Sequence, residues 1–577
     1  MDVDRETPCI HKVDPFGPRS SLHLVNYEEG NRSQKPKFYI KIDATIGIMK
    51  ILDTLPRTSN SALQLEYFKT FLINLLGWSV LLPTVSFFAV YRKVIDIILK
   101  TKHGERYGGL FNLNDGIFFW RDFSPPYLTT VLYIRSKTQI DLLPKVQKVI
   151  KEKIFTNPDL YPKLTGAKYS FGGYAYWLKN GRKVDNVVKT LRQPIAGKFD
   201  EKYLKQATAE ILEVPLTDDN PELWNFYISK KPLENFSSDG SYCYPIVARF
   251  HHTIADATSI VALFIRLFGD SSAQNYSEEL FERILKPSTI QPYHRTAIES
   301  TILFVKKCVR TICFSFDLIF FAFGRIIQNT HLRKTDQNAL HGSNYSGKKI
   351  TVWADENESD CLLMVKKIRE RTKSKFTCVV GTAISASLTE YFKRNKLPVP
   401  NSVTGVLTLL LNFPSIDPNK PVVLDNKTAG LGFDLQLHTS NNLVDTLRTI
   451  TTTMNTQLKY TDAIISYVLL IYVMGCVPVK LLNNYLGYDS QSFLFTNIPG
   501  GSKIEMFDGC VLEKVVPVAP NIQGMGVSFG IISYDNKLQI GVTVDKALTS
   551  NSDEVQKIAT DFFNNIRLLN AATKSEC

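Results

Sequence analysis

The first strongly apolar segment of the chain, Phe71 to Tyr91, contains no charged residue over its 21 positions. As an α-helix it would extend about 30 Å, enough to cross the hydrocarbon core of a bilayer, although a buried core helix is the alternative. Arg92 and Lys93 close the segment and further basic residues follow, which favours a cytosolic location for what comes next. We predict a polar N-terminal tail over residues 1–70 and a membrane anchor with its basic flank over residues 71–105.

Pro83 lies near the middle of this apolar segment and leaves two topologies open. If the helix crosses the bilayer once, the tail is luminal and the sequon at Asn31 becomes available for glycosylation. If the proline folds the segment back as a hairpin, both ends stay in the cytosol and Asn31 stays bare. Under either topology we expect the later sequons to be unmodified, at Asn235, Asn275, Asn344 and Asn426.

Two shorter apolar segments follow. Thr311 to Gly324 carries Asp317 and is bounded by arginines, so it is suited to an interfacial helix or to a packed helix of the soluble part. Ile464 to Pro478 is also too short to span a bilayer and follows polar helical sequence, so we predict a core helix there.

Beyond the anchor, the pattern of apolar and polar positions is mixed α and β. Thr129–Ser136 and Tyr242–Phe250 are rich in β-branched and aromatic residues and predict strands. Ile140–Phe155 has the spacing of an amphipathic helix. A further helix follows the second strand, with Asp256 or Thr258 placed to cap it.

A second series of strands and helices begins after Lys348. A basic, polar stretch over residues 329–349 separates it from the first series. We therefore predict two α/β halves, over residues 106–330 and 331–577, because a chain of 577 residues is too long for one compact core.

Composition narrows the function classes. The formal charge of +13 favours an anionic partner, but the basic residues are scattered and form no nucleic-acid-binding signature. The nine cysteines contain no CxxC pair, and several lie in apolar surroundings (Cys313, Cys378, Cys476), which predicts buried, reduced thiols. Serine-elbow, Walker A, dinucleotide-binding and zinc-hydrolase motifs are not found, so we predict no metal and no cofactor.

The candidate chemistry lies in ARFHHTIADATS, residues 248–259, where two adjacent histidines stand between a predicted strand and a predicted helix. A neutral imidazole at a strand end can accept a proton from a hydroxyl group near neutral pH. Asp256 follows His252 by four residues and can hold the loop by capping the helix or by pairing with an arginine. A polar turn with a helix cap is the equally simple alternative on these twelve residues alone.

HHTIADA, residues 251–257, resembles the HHxxxDG signature of the wax ester synthase/diacylglycerol O-acyltransferase (WS/DGAT) family, whose members are related to chloramphenicol acetyltransferase and condensation domains. Other segments resemble the family's motifs in the family's order over roughly residues 106–570. They are NLNDGIFFW (112–120), NPDLYPKL (157–164), NPELWNFYI (220–228), NALHG (338–342), FTNIPGG (495–501) and the closing strands after Gly526. The resemblance implies two chloramphenicol-acetyltransferase-like α/β halves that form a central tunnel, with the membrane segment in front of them.

The chain departs from the family pattern at several positions. Ala257 stands in place of the final glycine of the histidine motif, where a methyl group fits if φ is negative. Ala339 and His341 replace a proline and an asparagine. Val379 and Val380 stand where we expect the family's asparagine–aspartate pair. These departures leave the acceptor substrate open.

The resemblance implies direct acyl transfer from acyl-CoA, a co-substrate, to a fatty alcohol or diacylglycerol, at a membrane and with the catalytic domain facing the cytosol. It assigns the role of base to His252, support of the loop to His251 and Asp256, and positioning of a substrate group to Asn497, for which a simple turn is the alternative. It names no CoA-binding residues and no oligomeric state. Two other functions stay open: short-chain alcohol or amine acetyl transfer, and non-catalytic binding of acyl-CoA or lipid.

Overall fold

A computed structural model describes residues 60–575 apart from internal gaps. The gaps are 117, 119–125, 180–182, 215–221, 237–238, 271–296, 331, 343–344, 357–359, 412–419, 438–441, 479–480, 482–489, 508 and 523. Most of the predicted N-terminal tail lies outside the described residues, as do the sequons at Asn31, Asn275 and Asn344.

Fourteen α-helices and fifteen strands are described. The helices are α1 (Asn60–His103), α2 (Leu113–Gly116), α3 (Leu142–Ile150), α4 (Pro162–Thr165), α5 (Val184–Val187), α6 (Glu201–Glu213), α7 (Ala257–Phe268), α8 (Ala297–Asp317), α9 (Phe323–Thr330), α10 (Cys361–Thr372), α11 (Phe376–Arg394), α12 (Leu443–Gln457), α13 (Tyr460–Leu469) and α14 (Ser552–Ser575). The strands are β1 (Tyr107–Leu110), β2 (Tyr127–Ser136), β3 (Gly166–Phe171), β4 (Tyr174–Lys179), β5 (Val188–Thr190), β6 (Trp224–Ile228), β7 (Tyr242–His251), β8 (Lys349–Asp355), β9 (Ser402–Leu410), β10 (Thr428–Gln436), β11 (Phe493–Pro499), β12 (Ile504–Met506), β13 (Cys510–Val518), β14 (Val527–Tyr534) and β15 (Lys537–Asp545).

The strands form three sheets, and the mixed α/β class predicted from the sequence is confirmed. The first large sheet has the order β12-β13-β2-β7-β6-β5, and the second has the order β10-β9-β11-β14-β15-β8. A small antiparallel sheet, β1-β4-β3, completes the set. The first large sheet combines both predicted halves, because β13 pairs antiparallel with β2 from Val518 opposite Thr129 to Val511 opposite Arg135.

Two main hydrophobic cores lie on these sheets. In the first, α3 and α7 cover one face of the first large sheet with side chains such as Val146, Ile150 and Leu263. In the second, α10, α11, α12 and α14 pack on the second large sheet. α11 is almost wholly buried, which explains why its sequence carries apolar and small residues on every side.

The local predictions around the histidine pair are confirmed. The two predicted strands are β2 and β7, and α7 begins directly after Asp256, whose side chain accepts a hydrogen bond from the Ser259 backbone N–H. The predicted helix over 140–155 is α3, which continues through a π-helical turn to Phe155.

Two predictions need correction, and a third is confirmed. α1 begins at Asn60, eleven residues before Phe71, and runs without interruption through Pro83, so the proline does not fold the segment back. Cys313 is exposed on α8, whereas Cys378 and Cys476 are buried as expected. The core helix predicted over 464–478 is present as the end of α13 and a π-helical turn, which pack on β10 and α9; Tyr472 is the exposed side chain of this segment among those described.

Candidate active site

The histidine pair lies where β7 ends, and strand alternation sends the two rings in different directions. His251 is the last residue of β7, on the same face as Arg249. Its ring meets Tyr127 edge to face, and its Nδ1 lies 2.9 Å from Thr253 Oγ1. Arg249 is buried over the same tyrosine ring and donates to the Ile211 carbonyl. His251 is therefore part of a buried structural cluster.

His252 begins the turn between β7 and α7, and its backbone N–H donates to the Pro126 carbonyl at 3.0 Å. Its ring stacks on Phe118, with ring centroids 3.7 Å apart, and its Nδ1 lies 2.9 Å from Asn426 Oδ1. Nε2 forms no hydrogen bond with the part of the chain that the structure describes. The ring is thus fixed by stacking and by one nitrogen, and His252 also lines the cavity described below.

Asn426 determines which nitrogen of His252 carries the proton. Its amide nitrogen donates to Asp115 Oδ1 at 2.8 Å and to the His252 carbonyl at 2.9 Å, so its oxygen must be the atom that faces the ring. The imidazole therefore donates from Nδ1, which leaves the Nε2 lone pair free to accept a proton. Asn426 is 3% exposed, and these bonds make its sequon inaccessible to glycosylation in the folded chain.

Asp115 continues this hydrogen-bonded chain on the side away from His252. The carboxylate is fully buried on α2, and its Oδ2 lies 2.5 Å from the Lys163 ammonium. Lys163 also donates to the carbonyls of Ile254 and Leu424, which joins the histidine turn to the loop that carries Asn426. Burial raises the pKa of Asp115 to about 6, against the charge of Lys163 and the hydrogen bond from Asn426, which lower it.

Both histidines are held neutral by their surroundings. Burial lowers the pKa of His252 to about 4, although the charge of Asp256 and the hydrogen bond with Asn426 act in the opposite direction. Burial also lowers the pKa of His251 well below its ordinary value, and the charge of Lys168 adds to this effect. At neutral pH the Nε2 atom of His252 is thus unprotonated, as a base must be.

Asp256 joins α7 to the second half of the chain. Its Oδ1 accepts from the Ser259 N–H and the Thr258 hydroxyl, and its Oδ2 accepts from the Lys427 N–H at 2.9 Å. Its own N–H donates to the Asp425 carbonyl. These contacts cap the helix and hold the 425–427 segment beside the histidine turn.

The cavity beside His252 has a volume of about 80 Å³ and is lined by both halves of the chain. Asp256, Ala257 and Thr258 line it from α7, and Asn497 lines it from the second half. Asn497 is therefore brought together with the histidine. It lies within β11, paired with Ile531 of β14, and not in the turn considered as an alternative.

A second, larger cavity of about 120 Å³ adjoins the first, and its lining is almost entirely apolar. The two cavities share four lining residues, Leu128, Ala257, Thr496 and Ile498. The larger cavity runs between α7 and the strands β2, β11 and β13, with Ile260, Val261, Phe264 and Met506 among its walls. A polar site at His252 thus opens on an apolar chamber.

The departures from the family pattern have different positions relative to the site. Ala257 is the first residue of α7 and has no positive φ, so its methyl group is accommodated at the edge of both cavities. Val379 and Val380 are fully buried in α11 and belong to the second hydrophobic core. Ala339 and His341 line neither cavity.

The site also contains residues that the sequence did not single out as functional. Asn426, Lys163 and Phe118 come from three distant segments; Asn426 was noted only as a sequon, and Lys163 and Phe118 lie in motifs that contributed to the resemblance without a role of their own. Asp115 lies in a motif that contributed to the resemblance, without a role of its own. Within the described residues, no group of three or more His, Cys, Asp or Glu side chains is arranged to hold a metal ion.

The chain combines a mixed α/β fold with an oriented, neutral histidine beside a cavity between its two halves. These features define the class of protein to which it is similar. Residues 424–569 match the family model of the WS/DGAT C-terminal domain. This match confirms the predicted resemblance and supports an acyltransferase. A search of the curated proteins finds no match.

Solved structures give the same fold. One is the wax ester synthase/diacylglycerol acyltransferase from Marinobacter aquaeolei VT8, which is 13% identical, with a TM-score of 0.51 over 80% of this chain and 99% of that chain. Another is the TRI3 trichothecene 15-O-acetyltransferase from Fusarium sporotrichioides, 11% identical, with a TM-score of 0.50 over 79% of this chain and 94% of that chain. At these identities the similarity is one of fold.

Proposed function

We propose that the protein is a membrane-associated O-acyltransferase that transfers a fatty acyl group from acyl-CoA to a long-chain alcohol, to diacylglycerol or to both. One observation carries the proposal: His252, whose Nδ1 is held by Asn426 Oδ1, lines a cavity that adjoins an apolar chamber. The arrangement supplies a base where a hydroxyl group can enter, and beside it a space suited to a hydrocarbon chain.

The chemistry needs no covalent intermediate with the protein. Nε2 of His252 removes the proton from the acceptor hydroxyl as its oxygen attacks the thioester carbonyl, so a C–O bond forms and the C–S bond breaks. The departing CoA thiolate takes the proton back from Nε2. Asn497 and the neighbouring Thr496 hydroxyl lie on the cavity wall, where they position the acyl or acceptor group.

Asp115 and Asn426 are positioning residues in this scheme. When Nε2 takes the proton, the ring becomes a cation, and Asn426 Oδ1 accepts from its Nδ1–H. The ionised Asp115 polarises that amide from the other side and offsets part of the developing charge. This is the role that a carboxylate has beside a catalytic histidine, here transmitted through an asparagine.

The apolar chamber favours a long acyl chain over an acetyl group. An acetyl group would contact only a small part of this apolar lining, whereas each buried methylene of a longer chain contributes about 0.8 kcal/mol. Short-chain acetyl transfer and non-catalytic binding of acyl-CoA or lipid remain the alternatives to be tested. We place the enzyme at the endoplasmic reticulum membrane with its catalytic part in the cytosol, where acyl-CoA is found; two long apolar helices support the membrane attachment.

Expression in cells that lack neutral lipid synthesis tests the proposal. We expect the wild type to restore wax esters when fatty alcohol is supplied, triacylglycerol without it, or both, and a His252→Ala control to restore neither. Formation of only acetyl esters by isolated membranes would support the short-chain alternative. Acyl-CoA binding without turnover on any alcohol would support the non-catalytic one.

Narrowing the apolar chamber should shorten the preferred acyl donor. Val261→Trp places an indole against the chamber wall, so the chain loses burial of two or three methylenes. We expect kcat/KM for a palmitoyl donor to fall about 10–100-fold relative to a short-chain donor, at about 0.8 kcal/mol for each methylene. Val423→Trp, at an exposed valine, is the matched control. A change in alcohol chain-length preference without a change in donor preference would assign the chamber to the acceptor.

The acid side of the pH–rate profile should reflect Asp115 before it reflects His252. Asp115 has a pKa of about 6 and His252 of about 4, so lowering the pH first neutralises Asp115 while His252 is still a base. We expect kcat/KM to drop roughly tenfold through pH 6, to a plateau, and to drop again near pH 4. Asp115→Asn should start at the lower level and stay flat to about pH 4. A step near pH 6 that persists in Asp115→Asn would contradict this assignment.

A further inference from the structure

α1 has one face against the body of the protein and one face exposed along nearly its whole length. The exposed apolar side chains recur every three or four residues from Leu65 to Ile98, namely Leu65, Phe68, Leu72, Leu75, Leu76, Val80, Leu82, Phe87, Val90, Val94, Ile97 and Ile98. This exposed stripe is about 50 Å long at 1.5 Å per residue. Only 6% of the most apolar window of the helix is buried, so α1 is not a core helix of a soluble protein.

The opposite face of α1 contacts the protein near the beginning of the apolar segment. The Asn74 amide donates to the Ile319 carbonyl at 3.0 Å, and its oxygen accepts from the Gly324 N–H. The Thr70 hydroxyl donates to Gln328, and the Trp78 ring packs against Phe323 at 4.7 Å. Phe323 in turn belongs to a cluster with Ile465 of α13, so this end of α1 is fixed to the catalytic body.

The same face contacts the body again just beyond the apolar segment. Ile95 and Leu99 are buried against β4, and the Tyr174 hydroxyl of that strand donates to the Cys476 carbonyl. The Arg92 guanidinium donates to the backbone carbonyls of Phe111 and Gly475. Phe111 lies four residues before Asp115, so this contact reaches the segment that carries a site residue.

These two sets of contacts are incompatible with α1 crossing a bilayer. Asn74 and Ile95 are 21 residues apart, about 32 Å along a helix, which is the thickness of a bilayer's hydrocarbon core. In a spanning helix such positions lie on opposite sides of the membrane, and a single folded body would have to contact both. A helix that lies along the body can make both sets of contacts and still leave its exposed stripe facing outward.

α8, whose helical continuation through Ile319 to Gln328 is the segment that α1 contacts, gives a second indication. All residues from Thr301 to Cys313 are exposed, and they combine apolar side chains with Lys306, Lys307 and Arg310. Further along, Asp317 forms a bidentate pair with Arg325, which also binds Asp462 of α13. Asp317 lies inside this apolar segment and is joined through Arg325 to α13, so the segment too lies beside the body and does not cross.

We propose that α1 and α8 attach the protein to one leaflet of a bilayer, lying in the plane of the interface without crossing it. The exposed stripe of α1 enters the acyl-chain region, and Lys306, Lys307 and Arg310 reach the anionic headgroups. The proposal rests on the membrane association in the proposed function but not on acyl transfer. It places the N-terminal tail on the same side of the membrane as the catalytic body.

Topology mapping in intact microsomes tests this placement without any activity measurement. An N-terminal epitope tag should be digested by added protease, and glycosidase should cause no mobility shift in the wild type or in Asn31→Gln. A signal peptide fused ahead of the chain is the positive control, since it should force glycosylation of Asn31. A protected tag or a sugar on Asn31 in the unfused protein would overturn the proposal.

Vesicle flotation tests the exposed stripe itself. With vesicles of phosphatidylcholine and phosphatidylserine, the double variant Leu76→Glu/Phe87→Glu should bind at least about tenfold more weakly than the wild type, because two large apolar side chains are lost from the lipid contact. Leu568→Glu, at an equally exposed leucine of α14, is the matched control and should bind as the wild type does. Circular dichroism and thermal unfolding identify variants that fail to fold. Folded double variants that float like the control would overturn the proposal.

Discussion

Replacing His252 by alanine is expected to lower kcat by about two to four orders of magnitude, the usual scale for loss of a general base. The substitution removes Nε2 from the cavity and leaves Asn426 Oδ1 without its buried donor. Turnover is measured with membranes that carry equal amounts of folded protein, using the best acyl donor and acceptor. KM for the donor should change much less than kcat, because the apolar chamber is unaltered.

His251→Ala is the matched control, because it removes the same kind of side chain from the adjacent position. His251 contacts Thr253 and Tyr127 and lines neither cavity, so its loss should cost stability and a smaller part of the turnover. If His251→Ala proves to be the more damaging of the two, the base has been assigned to the wrong histidine. Ester formation that survives at the wild-type rate in His252→Ala would contradict the mechanism itself.

Asp256→Ala should mainly lower the amount and the stability of folded protein. The carboxylate accepts from Ser259 N–H, the Thr258 hydroxyl and Lys427 N–H, so the substitution removes a helix cap and a connection between the two halves. We expect the free energy of unfolding to fall by about 3 kcal/mol, from a lost N-cap and a lost charge-assisted hydrogen bond. Denaturant unfolding in detergent measures this change.

Asp256→Asn separates the two parts of this effect. Asparagine is a good N-cap and retains one oxygen, but it presents an N–H₂ group where Lys427 N–H needs an acceptor. Its loss of stability should lie between those of the wild type and Asp256→Ala. Turnover per folded molecule should stay within about tenfold of the wild type in both variants. A fall as large as that of His252→Ala would mean that Asp256 takes part in the chemistry.

The candidate site was predictable from the sequence only where its parts are close along the chain. His252 and Asp256 stand together between a strand and a helix, so a short pattern identifies them, and the helix cap follows from residue type. Asn426 is 174 residues from His252, and Asp115 is 311 residues from Asn426. No local sequence pattern indicates hydrogen-bond partners that are so far apart along the chain. Asn426 was noted only because it begins a sequon.

The fold class followed from alternating apolar patterns, but the way the halves combine did not. Residues 510–518 have the same strand signature whichever sheet they join, and their pairing with β2 is decided by side chains that meet only in the folded state. Asn497 shows the same limit. Asparagine, isoleucine and proline favour a turn locally, yet parallel pairing with β14 keeps this segment extended.

The anchor was predicted from hydropathy, which reports how apolar a segment is and not what each face contacts. Both faces of α1 are apolar, because one packs on protein and the other is exposed, so the pattern resembles that of a spanning helix. The start of α1 at Asn60 was not predicted, because residues 60–70 are polar and were assigned to the N-terminal tail. Cys313 was misplaced for a similar reason, since its apolar neighbours on α8 are themselves exposed.

The pairing of β13 with β2 has a consequence for folding during synthesis on the ribosome. α1 is complete about 400 residues before β13, an interval of about 20–80 s at ordinary translation speeds. During that time β2 has an open edge, and the histidine turn lacks Asn426 for most of it. Under the proposed attachment, the nascent chain settles on the lipid surface through α1 well before the candidate site is assembled. The site is complete only when the last quarter of the polypeptide has emerged and β13 has closed the sheet.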